Sequence, residues 1–113
     1  MQELIKKLRK FAKERDWEQF HSPKNLVMAL SVEVAEIVEH FQWLTEEQSF
    51  NLEAKTLEKV KDEIGDVQIY LARLSDQLGI SPLDVAKEKL KKNAKKYPPE
   101  KSKGNARKYS EFD

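Results

Sequence analysis

Two pairs of acids in this 113-residue chain have spacing that can do chemistry: Glu33-x-x-Glu36 and Glu63-x-x-Asp66. On a helix, residues three apart share a face, about 5–6 Å apart at Cβ, so each pair can aim two carboxylates at one point. Their neighbours are apolar: Glu33 stands between Val32 and Val34, Glu36 between Ala35 and Ile37, Asp66 between Gly65 and Val67. Four carboxylates gathered without a counter-charge repel, and like charge and burial both push a carboxyl pKa up. A divalent cation removes that conflict. With no imidazole or thiolate in the pairs, the all-oxygen set suits Mg²⁺, or Mn²⁺. The competing reading is a set of exposed glutamates on solvated helix faces. A di-iron bundle would need Glu-x-x-His on two helices; the one match, Glu18-x-x-His21, lies in a stretch that interrupts the helical pattern.

Aromatic and basic residues flank these acids. Trp17, Phe20 and His21 precede the second helical stretch, Trp43 ends it, and Tyr70 follows Asp66 by one turn. Each Trp alone reads as a core anchor; two around a carboxylate helix can sandwich a nucleobase. Lys89, Asn93 and Lys96 recur on one helical face. Such lysines usually serve solubility, but beside a carboxylate–metal site they suit phosphate oxygens.

The elements that must position these groups are helical. Leu4, Ile5, Leu8, Phe11 and Ala12 predict an amphipathic helix over about 2–15. Ser22-Pro23 reads as an N-cap with Pro at the first helical position, opening a second helix to about Trp43. Its broad apolar arc, from Leu26 and Val27 to Val38 and Phe41, points to contact on more than one side. Thr45–Asn51 reads as a loop. A third helix is predicted from about Leu52 to Leu78, stopped by a left-handed Gly79. Within it Gly65 costs about 1 kcal/mol relative to Ala, which a closely approaching helix or ligand would justify. Ser81-Pro82-Leu83-Asp84 repeats the N-cap pattern, with Asp84 placed to complete a capping box, and the fourth helix ends near Lys96, before Pro98-Pro99. The expected fold is all-α: a four-helix, bundle-like protomer that associates with copies of itself. Residues 1–97 form the domain, and 98–113 a basic arm or tail.

Composition bounds the alternatives. There are no cysteines, so disulfides, thiolate metal sites and cysteine nucleophiles are excluded. A net charge of +1 argues against a nucleic-acid polymer as partner. That balance hides an acidic middle, with ten acids against three bases over 33–66, and a basic end, with six bases against three acids from Lys95 onward. The longest stretch without a charged residue, Asn25–Val32, is far below the about 20 residues of a membrane span, and the N-terminus lacks the apolar segment of a secretory signal. A cytoplasmic protein without membrane contact is expected.

With these residues assembled, the sequence resembles the MazG-like all-α nucleoside triphosphate pyrophosphohydrolases, nearest their dCTP pyrophosphatase branch. The resemblance is carried by ERDWEQFHSPKNL (Glu14–Leu26), SVEVAEIVEHFQW (Ser31–Trp43), DEIGDVQIYLARL (Asp62–Leu74), NAKKYP (Asn93–Pro98) and the tail SKGNARKYSEF. It implies Mg²⁺-dependent hydrolysis of a (deoxy)nucleoside triphosphate, such as dCTP or a modified dCTP, to monophosphate and diphosphate. It also implies a homotetramer built as a dimer of dimers. Glu33, Glu36, Glu63 and Asp66 match metal ligands; Trp17, Glu18, Gln19, Phe20, His21, Trp43 and Tyr70 match substrate contacts; Lys89, Asn93 and Lys96 fit phosphate contacts. The water-activating group is one of the carboxylates or an outer partner such as Glu39. A non-enzymatic helical interaction module, or a metal-dependent phosphohydrolase of another nucleotide, stays open on the residues alone.

Overall fold

The computed structural model describes residues 1–104, apart from the side chains of 101 and 102, and all regular structure among them is helical. The helices are α1 (Gln2–Glu14), α2 (Pro23–Phe41), α3 (Glu46–Ser49), α4 (Ala54–Gln77), α5 (Pro82–Lys96) and α6 (Pro99–Ser102), with a single 3₁₀ turn over Glu18–Phe20. The chain divides into two compact units, Met1–Ile80 and 81–113. The tail beyond residue 104, with most of the SKGNARKYSEF stretch, lies outside the described residues.

In the first unit, α2 packs along α4, and α1 packs against α4 as well. The α2–α4 pair is antiparallel: His40 near the end of α2 meets Glu63 early in α4, whereas His21 just before α2 meets Gln77 at the end of α4. Ala12 of α1, Leu26 of α2 and Val60 and Ala72 of α4 are the buried apolar residues. This is a small core. Val27, Val32, Val34 and Val38 of α2, and Ile64 and Leu71 of α4, keep over a third of their surface in solvent, so the broad apolar arc of α2 exceeds what one protomer covers.

Local chemistry sets the ends of these helices. The Ser22 hydroxyl accepts from the Asn25 N–H at 3.2 Å with Pro23 at N1, as the sequence predicts. At the end of α4, Gly79 (φ 69°) donates to Asp76 O and Ile80 donates to Ser75 O, the paired bonds of a Schellman cap. The same cap closes α1, with a non-glycine residue in the left-handed position. Asp16 (φ 54°) donates to Lys13 O, and Trp17 donates to Ala12 O at 2.9 Å.

The structure adjusts several expectations. The segment read as a loop holds one helical turn, α3, because Thr45 and Gln48 form a full capping box: Gln48 N–H donates to Thr45 Oγ1 and Thr45 N–H donates to Gln48 Oε1. At Ser81 only half a box forms. Its hydroxyl accepts from Asp84 N–H, but the shorter Asp84 carboxylate makes no return bond. The chain after Pro98 begins with the one-turn α6. A Cβ built on Gly65 meets nothing within 4 Å among the described residues, so none of them accounts for that glycine. Among the described residues, no helix is long and apolar enough to cross a membrane.

Candidate active site

The two acidic pairs face one another across the α2–α4 contact. Glu33 feels the negative charge of Glu36 on its own helix and of Asp66 and Glu63 on the other. Burial first, then a hydrogen bond to Glu36 and these like charges, hold the Glu33 carboxyl above its ordinary pKa. Oxygens of both helices are hidden and without a hydrogen bond: Glu33 Oε2 and Glu63 Oε2 are buried and have no aligned donor. His40 Nε2 stands 2.7 Å from Glu63 Oε2, an ion-pair contact when the imidazole is protonated. Glu33 Oε2 is left without a partner; an unpaired buried carboxylate oxygen is costly, and a hard cation is the partner its chemistry suits. Among the described residues, no three such side chains are already drawn to the spacing of a closed metal site. The carboxylates share an electrostatic neighbourhood rather than a finished coordination cage.

Beside Asp66 opens a cavity of about 320 Å³. Trp17 and His21, from the α1–α2 connection, line it together with Asp66, Tyr70 and Arg73 of α4, and α1 closes it with Leu8 and Phe11. The Schellman cap at Asp16 turns the chain so that Trp17 meets the helix it follows: its ring packs edge-on to Phe11 with centroids 5.6 Å apart. His21 also packs edge-on to Trp17, with ring centroids 6.4 Å apart. Gln19 holds the turn by donating to Asp16 O and Asp16 Oδ2. Burial, and next the Arg73 charge, press the His21 pKa below its ordinary value, so the imidazole is neutral at pH 7.

The sequence-predicted residues thus separate into groups. Glu33, Glu36, Glu63 and Asp66 come together, and Asp66 joins them to a cavity bearing Trp17, His21 and Tyr70. Glu18, Gln19 and Phe20 lie exposed on the 3₁₀ turn, and Trp43 is 86% exposed and does not line the cavity. Glu39 is exposed. Lys89, Asn93 and Lys96 belong to α5 in the second unit, the lysines exposed and Asn93 half-buried.

Sequence reasoning missed Arg73 and the groups that hold it. Arg73 Nη1 lies 3.6 Å from Asp76 Oδ2, and Arg9 Nε of α1 donates to the same oxygen at 2.8 Å. The signal was in reach: Asp66, Tyr70 and Arg73 step by four and three along one helix face.

Comparisons with known proteins give the family. Residues 28–112 match the model of the MazG-like family. The chain belongs to the MazG-like family. The human dCTP pyrophosphatase 1 is 40% identical over 105 residues, covering 90% of this chain and 61% of that protein. The bovine dCTP pyrophosphatase 1 is 38% identical over 104 residues, covering 90% and 62%. This MazG-like chain therefore spans about three-fifths of the length of the curated relatives it matches. A solved structure, a pyrophosphatase from Archaeoglobus fulgidus, superposes with a TM-score of 0.77 at 43% identity, covering 87% of this chain and 92% of that one.

Proposed function

We propose that this MazG-like chain is a Mg²⁺-dependent nucleoside triphosphate pyrophosphohydrolase. It hydrolyses a (deoxy)nucleoside triphosphate, dCTP or a modified dCTP foremost, to the monophosphate and diphosphate, serving the nucleotide pool of the cytoplasm. The observation that carries this reading is the convergence of four carboxylates from α2 and α4, with the buried Glu33 Oε2 left without any partner, at the edge of an aromatic cavity. The names of the relatives, dCTP pyrophosphatase and pyrophosphatase, support the reaction class.

In this reading Glu33, Glu36, Glu63 and Asp66 hold the cation. When bound, Mg²⁺ (or Mn²⁺) neutralises phosphate charge and stabilises the leaving diphosphate. Trp17 and Tyr70 hold the base and sugar in the cavity, with His21 at its polar edge. Lys89, Asn93 and Lys96 of α5 suit phosphate oxygens by their chemistry. A carboxylate orients a water toward the α-phosphorus and accepts its proton as the bond to the bridging oxygen breaks. The half-exposed valines of α2 support burial against further copies of the chain, in a homotetramer arranged as a dimer of dimers.

A panel of nucleoside triphosphates, analysed for products with Mg²⁺ present, tests this reading. Monophosphate and pyrophosphate in equal amounts are expected. Release of orthophosphate alone, or no cleavage of any nucleotide, contradicts it.

A further inference from the structure

Arg73 is an unusual residue to bury. Its side chain is only 6% exposed, one carboxylate, Asp76, lies near it, and a buried cation is stabilising only when its donors are well used. One donor goes to the cavity wall: Arg73 Nε–H donates to His21 Nδ1 at 3.3 Å. A guanidinium only donates and does not lose its proton in proteins. The His21 nitrogen facing it must therefore carry a lone pair, and the ring proton must stand on Nε2.

The rest of the arrangement holds that pairing in place. Arg73 is fixed through Asp76, which Arg9 grips from α1. The His21 backbone is held by Gln77 Nε2 donating to its carbonyl at 3.0 Å. The ring edge is set by Trp17, at an interplanar angle of 63°. Within the Met1–Ile80 unit no acceptor takes the Nε2 proton. His21 thus stands in the cavity wall, beside Trp17, with an Nε2–H that no side chain of this unit takes up.

We propose that Arg73 is a positioning residue that locks His21 as the Nε2–H tautomer, making it a donor to an acceptor edge of the bound nucleobase, a carbonyl oxygen or an unprotonated ring nitrogen. The assignment rests on the nucleotide reading above for the identity of the ligand, but not for the tautomer. Arg73 acts through His21, so its loss weakens base binding and leaves the chemical step intact.

The test combines nitrogen-15 NMR of the His21 ring with steady-state kinetics. In the wild type, His21 should show a protonated Nε2 and an unprotonated Nδ1 at pH 7. In Arg73→Lys, which keeps the charge but lacks the Nε donor, the ring should pass to a tautomer mixture, with KM up about 5–10-fold and kcat unchanged. A His21→Gln background supplies a donor that needs no partner at Nδ1. There, adding Arg73→Lys should leave KM unchanged; an equal KM increase in both backgrounds overturns the proposal. Arg73→Met, with the same two readouts, serves if the lysine variant fails to fold. A protonated Nδ1 in an active wild type overturns the tautomer and spares the activity. An Nε2–H ring in a protein that cleaves no nucleotide overturns the nucleotide reading, and with it the base as ligand.

Discussion

At the residue scale, the acidic quartet sets function against stability. The Glu33 carboxyl lies above its ordinary pKa, chiefly through burial and then through Glu36 and the acids of α4. A group raised in the folded state favours folding below its unfolded pKa and loses that contribution as pH rises through the folded value. The metal-free protein should thus lose some stability as pH rises above about 4.5. Glu33→Gln should raise the melting temperature of the metal-free protein at pH 7 while removing its response to Mg²⁺, as scanning calorimetry with and without chelator would show. A lower melting temperature in the chelated variant would mean the carboxylates do not repel there. Glu63→Gln should lower kcat by about 100-fold or more with the fold intact. Trp17→Ala should act mainly on KM, at about 1–3 kcal/mol for a lost base stack. The acids were legible in the sequence because three-residue spacing survives any small error in helix boundaries. Arg73, although it continues the Asp66–Tyr70 face, was passed over because a cation in an amphipathic helix reads as solvated until its burial is seen.

Element ends carry the next set of expectations. Trp17 reaches the cavity because α1 terminates on a left-handed Asp16. The sequence does not announce this, since glycine is the usual residue there and aspartate tolerates the conformation less often. Asp16→Gly should leave stability nearly unchanged. Asp16→Val, β-branched at a positive φ, should destabilise by about 1–3 kcal/mol and raise KM through Trp17; denaturant unfolding and steady-state kinetics check both. Gly65 makes a sharper case. Among the described residues nothing approaches it, so Gly65→Ala should stabilise α4 by up to about 1 kcal/mol. A loss of activity or of assembly despite that gain would show that a ligand or another copy of the chain comes close. The long helices were readable from their 3.6-residue periodicity, and Ser22, Gly79 and Ser81 from their capping chemistry. The α3 turn was not, because four residues are too few to show a period and Thr45-x-x-Gln48 was the only sign of it.

For the whole molecule, the proposed homotetramer would cover the exposed valines of α2 and add to the stability of a small core. Melting temperature should rise with protein concentration. Light scattering should give a mass near four chains, and a monodisperse single chain would remove the tetramer. Asp76 links α1 to α4, and its pKa is held below the ordinary value by the hydrogen bond to Arg9, against the opposing effect of burial. A lowered carboxyl contributes stability above its unfolded pKa and loses it as pH falls through the folded one. The clamp should therefore fail below about pH 4, and Asp76→Asn should remove that part of the acid transition. The proposed assembly rests in the sequence on an excess of apolar surface on one helix; which faces would meet depends on the shape of several chains together.

Manganese binding measures the central claim most directly. Electron paramagnetic resonance can follow Mn²⁺ titrated into the protein with a nucleotide whose α,β-bridging oxygen is replaced by methylene. Wild-type protein should take up the cation in a saturable, Mg²⁺-competable way, and Glu63→Gln should weaken that uptake by about 10-fold or more. Equal uptake by wild type and variant would contradict a cation held between α2 and α4.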